Sequence, residues 1–323
     1  MQNLLTGSYF AKFPEQFRQI PSHIAYKNYL KLRRTLLQAK SRKIVLSSDH
    51  QVQYLEAGDP NAPTVLFLHG FADSKDSFYD SAQILVRDYH LIIPDLPGFG
   101  ESSRYSDTFY DLVSFATIML DFCNELGLSN VHLVGNSLGG AVAAKMAIMQ
   151  ETVLSSLCLI NPGGIYLETP RNLHHELFED HNVFDVRNYE DFCYFFNRVF
   201  AYEPFIPQVI KDYFYFTMRK NTAWHRKLLA DLFTGMRSEN DPNLYKRALN
   251  NELSEISKPC FVVWGDEDTF FPKETAYLIR DKIKHAELYI MMDVGHIPQI
   301  EAPTEFCRVY SRFIRKSLRR NSA

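Results

Sequence analysis

Val131-His132-Leu133-Val134 runs directly into Gly135-Asn136-Ser137-Leu138-Gly139-Gly140, and residues 138–149 continue as small and apolar side chains. Three apolar residues in a run of four, bounded by turn formers, read as a strand buried on both faces. The small-residue run reads as a helix packed closely on that strand. G-x-S-x-G between a buried strand and a helix is the setting of a sharp turn that strains the serine backbone and lifts its Oγ clear of the sheet. Gly135 and Gly139 suit that turn because a Cβ at either position would strike the neighbouring chain. The helix N-terminus behind Ser137 supplies amide donors and the positive end of the helix dipole. Without strand and helix around it, the same pentapeptide would be a glycine-rich turn with an incidental serine.

Outward from this turn the chain alternates. Val65–Leu68, Leu91–Ile93, Leu157–Ile160, Phe261–Trp264 and Leu288–Ile290 are further short apolar runs, and residues 77–87 and 109–126 have helical spacing between them. Ile44–Leu46 and Val52–Leu55 read as a strand pair with a turn at Ser47–His50. Buried strands alternating with helices predict an α/β protein, a mostly parallel sheet covered on both faces. The alternation stops between Pro162 and about Lys258, where the sequence reads as helices. So long a stretch is a folded insert rather than a loop. From Tyr166 to Phe216 it holds 15 Phe or Tyr in 51 residues, more than a few small helices need for their own core, so some are expected to line an apolar pocket. At the start, residues 1–25 form a weak amphipathic pattern broken by Pro14 and Pro21, and residues 26–40 a better helix. The domains expected are an N-terminal helical extension (1–42), a core (43–162 and 258–323) and a helical cap (163–257).

A serine hydroxyl needs a base, and the base needs an acid. Trp264-Gly265-Asp266-Glu267-Asp268 closes one buried strand, and Gly295-His296-Ile297-Pro298 follows the last. Loops at the carboxyl ends of parallel strands are where sites form. Asp266, Glu267 and Asp268 compete for the acid role, and His296 is the base. An oxyanion needs two backbone donors; Leu138 offers one, and Phe71, in His69-Gly70-Phe71 at the end of the first buried strand, the other. His69 is read as holding this loop by hydrogen bonds rather than as a base. His174, His175, Glu176 and His181 lack metal-site spacing, so no metal is expected.

Composition bounds the rest. The 323 residues carry a net charge of −3, with 46% hydrophobic and 23% charged residues, the balance of a globular protein. Residues 1–48 hold nine Lys or Arg and one acid, and residues 308–323 six and none, so the body between is strongly acidic. Such a body is a poor partner for nucleic acid. The basic ends either touch an anionic membrane or pack on the acidic body. The five cysteines are widely spaced, which implies free, mostly buried thiols. With no long apolar run and no charged-then-apolar leader, the expectation is a cytoplasmic protein, peripheral to a membrane if the ends bind one.

The motifs HGFADSKDSF (69–78), DLPGFGES (95–102), VGNSLGG (134–140), WGDEDTFFP (264–272) and GHIPQIEAP (295–303), in this order, resemble the α/β-hydrolase superfamily and, within it, capped serine hydrolases such as monoacylglycerol lipases. The resemblance covers about residues 44–318 and implies the α/β-hydrolase fold with a helical cap. It assigns Ser137 as nucleophile, His296 as base and, from the W-G-x-x-D pattern, Asp268 as acid, with Gly70 beside the oxyanion loop. The implied activity is hydrolysis of a small, lipid-like carboxylic ester through an acyl-enzyme, with no cofactor. Carbon–carbon bond hydrolases of ring-cleavage products share G-N-S-x-G-G but are usually richer in glycine at the oxyanion loop. A non-catalytic ligand-binding protein on the same fold is the remaining alternative.

Overall fold

The computed structural model describes residues 14–167, 176–177, 182–234 and 248–321. Its strands are β1 (Lys40–Val45), β2 (Gln51–Ala57), β3 (Thr64–Leu68), β4 (His90–Pro94), β5 (Val131–Asn136), β6 (Leu154–Ile160), β7 (Cys260–Gly265) and β8 (Glu287–Met291). Its helices are α1 (Glu15–Leu36), α2 (Tyr79–Leu85), α3 (Leu112–Glu125), α4 (Leu138–Met149), α5 (Tyr189–Val199), α6 (Gln208–Leu232), α7 (Glu274–Lys282), α8 (Pro298–Glu301) and α9 (Pro303–Asn321). The eight strands form one sheet in the order β1-β2-β4-β3-β5-β6-β7-β8. β2 pairs antiparallel with β1 and with β4, and every other pairing is parallel.

β4, β5, β6 and β7 are buried along their whole length, as continuous apolar strands under helices must be. One apolar layer packs α3 and α4 on the sheet through Phe115, Met119, Phe122, Val142 and Met146; the other packs α2 and α9 through Phe78, Leu85, Phe306 and Tyr310. β1, KSRKIV, lies exposed at one edge, where its lysines and arginine discourage pairing with another chain. Asp111 caps α3, accepting from the Ser114 amide at 2.8 Å, so that helix starts three residues later than its apolar spacing suggests. Between β6 and β7 the described residues contain α5 and α6 and no strand; these helices are hereafter the cap.

The N-terminal segment differs from the sequence reading: α1 is one helix of 22 residues running through Pro21. Proline there removes a hydrogen bond to the Phe17 carbonyl and costs about 3 kcal/mol. Side chains near the break turn back onto the helix: the Ser22 hydroxyl donates to the Gln19 carbonyl at 2.7 Å, and His23 Nδ1 contacts the same oxygen at 2.8 Å. Packing against α6 offsets the rest. Arg18 pairs with Asp212 at 2.8 Å with both side chains buried, and Tyr26 stacks on Tyr213 at 3.8 Å.

Of the two expectations for the basic ends, packing on the acidic body is seen for several residues. Arg33 pairs with Asp80, Arg34 with Asp76, Arg42 with Glu56 and Lys316 with Glu287. Packing on the acidic body therefore takes up part of that charge.

Candidate active site

Ser137 sits between β5 and α4 with φ 55° and ψ −119°, a backbone conformation that residues with a Cβ rarely adopt. Three hydrogen bonds hold it there: its amide donates to Ile160 O at 3.0 Å, and its carbonyl accepts from Ala141 at 3.0 Å and Gly163 at 2.9 Å. Its glycine neighbours leave no alternative. A Cβ on Gly135 would lie 2.1 Å from Gly139 O, and one on Gly139 would lie 2.1 Å from Leu68 O. Ser137 is half-buried while its neighbours on both sides are buried, so the turn exposes this one side chain.

His296 follows β8 and lies beside Phe270 and Phe271, with ring centroids 4.8 and 5.5 Å away. Its Nδ1 lies 2.9 Å from Asp268 Oδ2, and the Asp268 side chain is fully buried. With Nδ1–H directed to the carboxylate, the Nε2 lone pair is left to take a proton. The amides of Phe270 and Phe271 donate to Asp268 Oδ1 at 2.8 and 3.2 Å, so the acid is fixed from both oxygens. The three competing acids separate cleanly. Asp268 meets His296, Asp266 Oδ1 lies 3.4 Å from the Val294 amide, and Glu267 is exposed.

Three further residues complete this arrangement: Asn136 and Gln299, which stand in the quoted motifs without an assigned role, and Asn161, which stands outside them. Asn161, after β6, donates from Nδ2 to Asp268 Oδ2 and accepts the Gly265 amide at 3.2 Å on Oδ1. Asn136, next to Ser137, donates from Nδ2 to the His296 carbonyl at 3.1 Å. Gln299 in turn donates to Asn136 Oδ1 at 3.1 Å. The only sequence signal for Asn161 was a polar residue at the end of an apolar strand, before Pro162-Gly163-Gly164.

Phe71 and Leu138 are the two candidates for oxyanion donors. Leu138 is the first residue of α4, whose amide the helix cannot use. Among the described residues the Phe71 amide donates to no other group. The loop is held from below. His69 Nε2 accepts the Leu96 amide at 2.9 Å while Nδ1 contacts Gly70 O at 2.8 Å, so neither ring nitrogen is free for proton transfer. Lys75, 1% exposed, donates to Asp95 and to Glu101, each at 2.6 Å, and its amide donates to Asp95 Oδ1 at 2.7 Å. Burial works against the Lys75 charge, but Asp95, Asp76 and Glu101 outweigh it and raise its pKa. Gly70 packs directly on Ser137, since a Cβ there would lie 3.2 Å from the serine Cβ.

Aromatic rings pack together beside Phe71 and His296. Phe71 contacts Phe184 at 4.7 Å, and Phe184 contacts Phe195 at 5.6 Å and Phe270 at 6.4 Å. Not all the cap aromatics contribute. Phe192, Phe196, Tyr215 and Phe216 form the cap's own core with Val186 and Met218. Arg198 lies over the Phe270 ring, 5.0 Å from its centroid, but its guanidinium is bound to Glu176 and to the Thr269 carbonyl. His174, His175 and His181 lie outside the described residues, among which no group of three or more metal-type ligands occurs. The five cysteines are free, and four of them are buried.

A family model for the alpha/beta hydrolase fold matches residues 63–303, and the chain belongs to that family. Among its relatives is Lipase 1 of Psychrobacter immobilis, 33% identical over 274 residues, 84% of this chain and 83% of that protein. Human monoacylglycerol lipase ABHD6 is 25% identical over 313 residues, 94% of this chain and 90% of that one. The crystal structure of a membrane phospholipase A, a bacterial virulence factor, superposes with a TM-score of 0.84 at 28% identity, covering 92% of each chain.

Proposed function

We propose that this protein is a lipase-like serine esterase acting on carboxylic esters with an apolar acyl chain. Lipases are among its relatives, lipases and esterases are among its structural neighbours beside a meta-cleavage product hydrolase, and the chain is a carboxylic ester hydrolase of the α/β family. The observation that carries the finer reading is the His296 Nδ1 to Asp268 Oδ2 contact at 2.9 Å, on a loop tied by Asn136 to the strained serine turn. Ser137 Oγ attacks the ester carbonyl while His296 Nε2 takes its proton. The Leu138 and Phe71 amides stabilise the oxyanion. Collapse of the tetrahedral species expels the alcohol, which receives the proton from His296, and leaves an acyl-serine. Water, deprotonated by His296, then releases the acid and restores Ser137. Asp268 holds the imidazole in the right tautomer and stabilises its cationic form.

The ring cluster of Phe71, Phe184, Phe195 and Phe270 supports an apolar acyl group. A polar, arginine-bearing cap pocket would favour the carbon–carbon hydrolase reading, and Arg198, beside Phe270, is occupied by Glu176 and Thr269. A p-nitrophenyl ester series from acetate to palmitate, with Ser137→Ala as control, tests the reading. Each buried methylene contributes about 0.8 kcal/mol, so kcat/KM should climb across short and medium chains. A flat profile, or a preference for acetate, removes the acyl pocket.

The membrane part of the proposal rests on α1. Phe17, Ile20, Ile24, Leu32 and Leu36 are 57–69% exposed on its outer side, with exposed Lys27 and Lys31 among them. An apolar helix face flanked by lysines suits an anionic lipid surface, where lipid-like esters reside. No helix among the described residues is long and apolar enough to cross a membrane.

A further inference from the structure

Glu301 ends α8, five residues after His296, and the mechanism gives it no role. Its carboxylate accepts three backbone amides. Oε1 takes Gly295 at 3.0 Å and Ile297 at 3.3 Å, the two residues that flank His296. Oε2 takes Ala201 at 2.8 Å, on the cap segment just after α5. The amide between the two flanking ones, that of His296 itself, donates to the cap's Val199 carbonyl at 3.0 Å. The two segments are in van der Waals contact as well: a Cβ on Gly295 would lie 2.6 Å from Ala201 N. Three successive amides around the base are thus held by one side chain and one cap carbonyl, and the same side chain holds the cap. Burial pushes the Glu301 carboxyl up, against the stabilisation its three amides and His296 provide.

We infer that Glu301 is a positioning residue that clips the cap segment Val199–Ala201 to the His296 loop, so that a seated cap and an aligned base are one state. It rests on the reading of His296 as the base. Glutamate suits this place because a carboxylate offers two oxygens and no donor, whereas a glutamine would turn an NH₂ group toward one of the amides. Aspartate is one methylene too short to serve both segments.

The test compares Glu301→Ala and Glu301→Gln with the wild-type chain. Hydrogen exchange is read at residues 199–201 and 295–297, together with kcat, KM and the rate at which a fluorophosphonate labels Ser137. With Glu301→Ala, exchange should quicken in both segments, and kcat and labelling should fall by about tenfold or more with KM within about twofold, since small misplacements of reacting groups cost that much. With Glu301→Gln, whose remaining oxygen can keep the loop amides, exchange should quicken at Ala201 alone and kcat should fall less. If Glu301→Ala lowers Tm but leaves kcat and labelling within about twofold, Glu301 merely supports the fold and the inference fails. Unchanged exchange at Ala201 also overturns it. A wild-type chain that turns over no ester would sink the proposed function, and the exchange and labelling results would still decide the clip.

Discussion

Beneath Ser137 the contacts are backbone against backbone: Gly135 on Gly139, Gly139 on Leu68, and the serine amide on Ile160. Above it, the cap meets the core mainly through side chains. Trp224 Nε1 donates to the Gly98 carbonyl at 2.7 Å, Asp231 accepts the Tyr110 amide at 2.9 Å, and Arg198 reaches Thr269. Backbone contacts at van der Waals distance admit one residue type, so the lower half leaves a sharp mark in the sequence. Side-chain contacts can be made by many pairs, so the upper half leaves a diffuse one.

The sharpest test of the lower half is chemical. Ser137→Ala and His296→Ala should each lower kcat by at least about 10⁴, because residues that act as a unit fail as a unit. Asp268→Asn should be severe and Asp266→Asn mild, measured as kcat on a soluble ester. If Asp266→Asn were the more damaging, the contact between Asp268 and His296 would not be the working one. Next in size is the floor of the oxyanion loop. Lys75 and Asp95 are 1% and 0% exposed at the side chain, so Lys75→Met leaves a buried carboxylate without its ammonium partner. A loss of about 3–5 kcal/mol in urea unfolding is expected. A loss under about 1 kcal/mol would show that the backbone amides of residues 75 and 101, which donate to Asp95, suffice without the lysine.

One histidine in each half gives a smaller contrast. Burial lowers His132, on β5, to about 4, and burial with nearby Arg104 lowers His225, on α6, to about 4. An unfolded histidine titrates near 6.5. As pH falls from about 6.5 to 4 the unfolded chain binds protons that the folded chain refuses, so stability is full above that window and declines through it. His132 has a partner, Ser156 Oγ at 2.7 Å, whereas His225 packs between Phe71 and Phe99 with Nδ1 unpartnered. His225→Phe should therefore keep the packing and narrow the stability gap between about pH 7 and 5, followed by urea midpoints. A gap as wide as wild type would mean His225 does not set the acid sensitivity.

The smallest effect is expected outside both halves. Lys27→Glu with Lys31→Glu should reduce co-sedimentation with anionic vesicles at low salt, at roughly 1 kcal/mol per basic group, and leave turnover of a soluble ester unchanged. Equal binding to neutral vesicles would point to an apolar anchor, and no binding at low salt would remove the membrane proposal.

The same contrast explains what could be read from residues alone. Each buried strand was legible, because short runs of mostly apolar residues between turn formers have few other uses, and the turn at Ser137 was legible because its glycines are compelled. The choice among Asp266, Glu267 and Asp268 followed from a resemblance; spacing alone left it open, since three adjacent acids on one loop differ only in where the chain aims them. Asn161, Asn136 and Glu301 went unread because a single polar residue at a strand or helix end has no periodicity to betray it. Pro21 misled for a related reason: propensity gives a local cost, whereas Arg18 on Asp212 and Tyr26 on Tyr213 are contacts between residues almost two hundred positions apart.

The bond from the His296 amide to the Val199 carbonyl has a mechanical consequence. It makes that corner of the cap a fulcrum rather than a free edge. Were a cap pinned there to tilt, its travel would be greatest at the parts farthest from the pin. Lifting the pinned corner instead would pull the proton acceptor out of register, so a fully detached cap leaves the serine visible to solvent but unarmed.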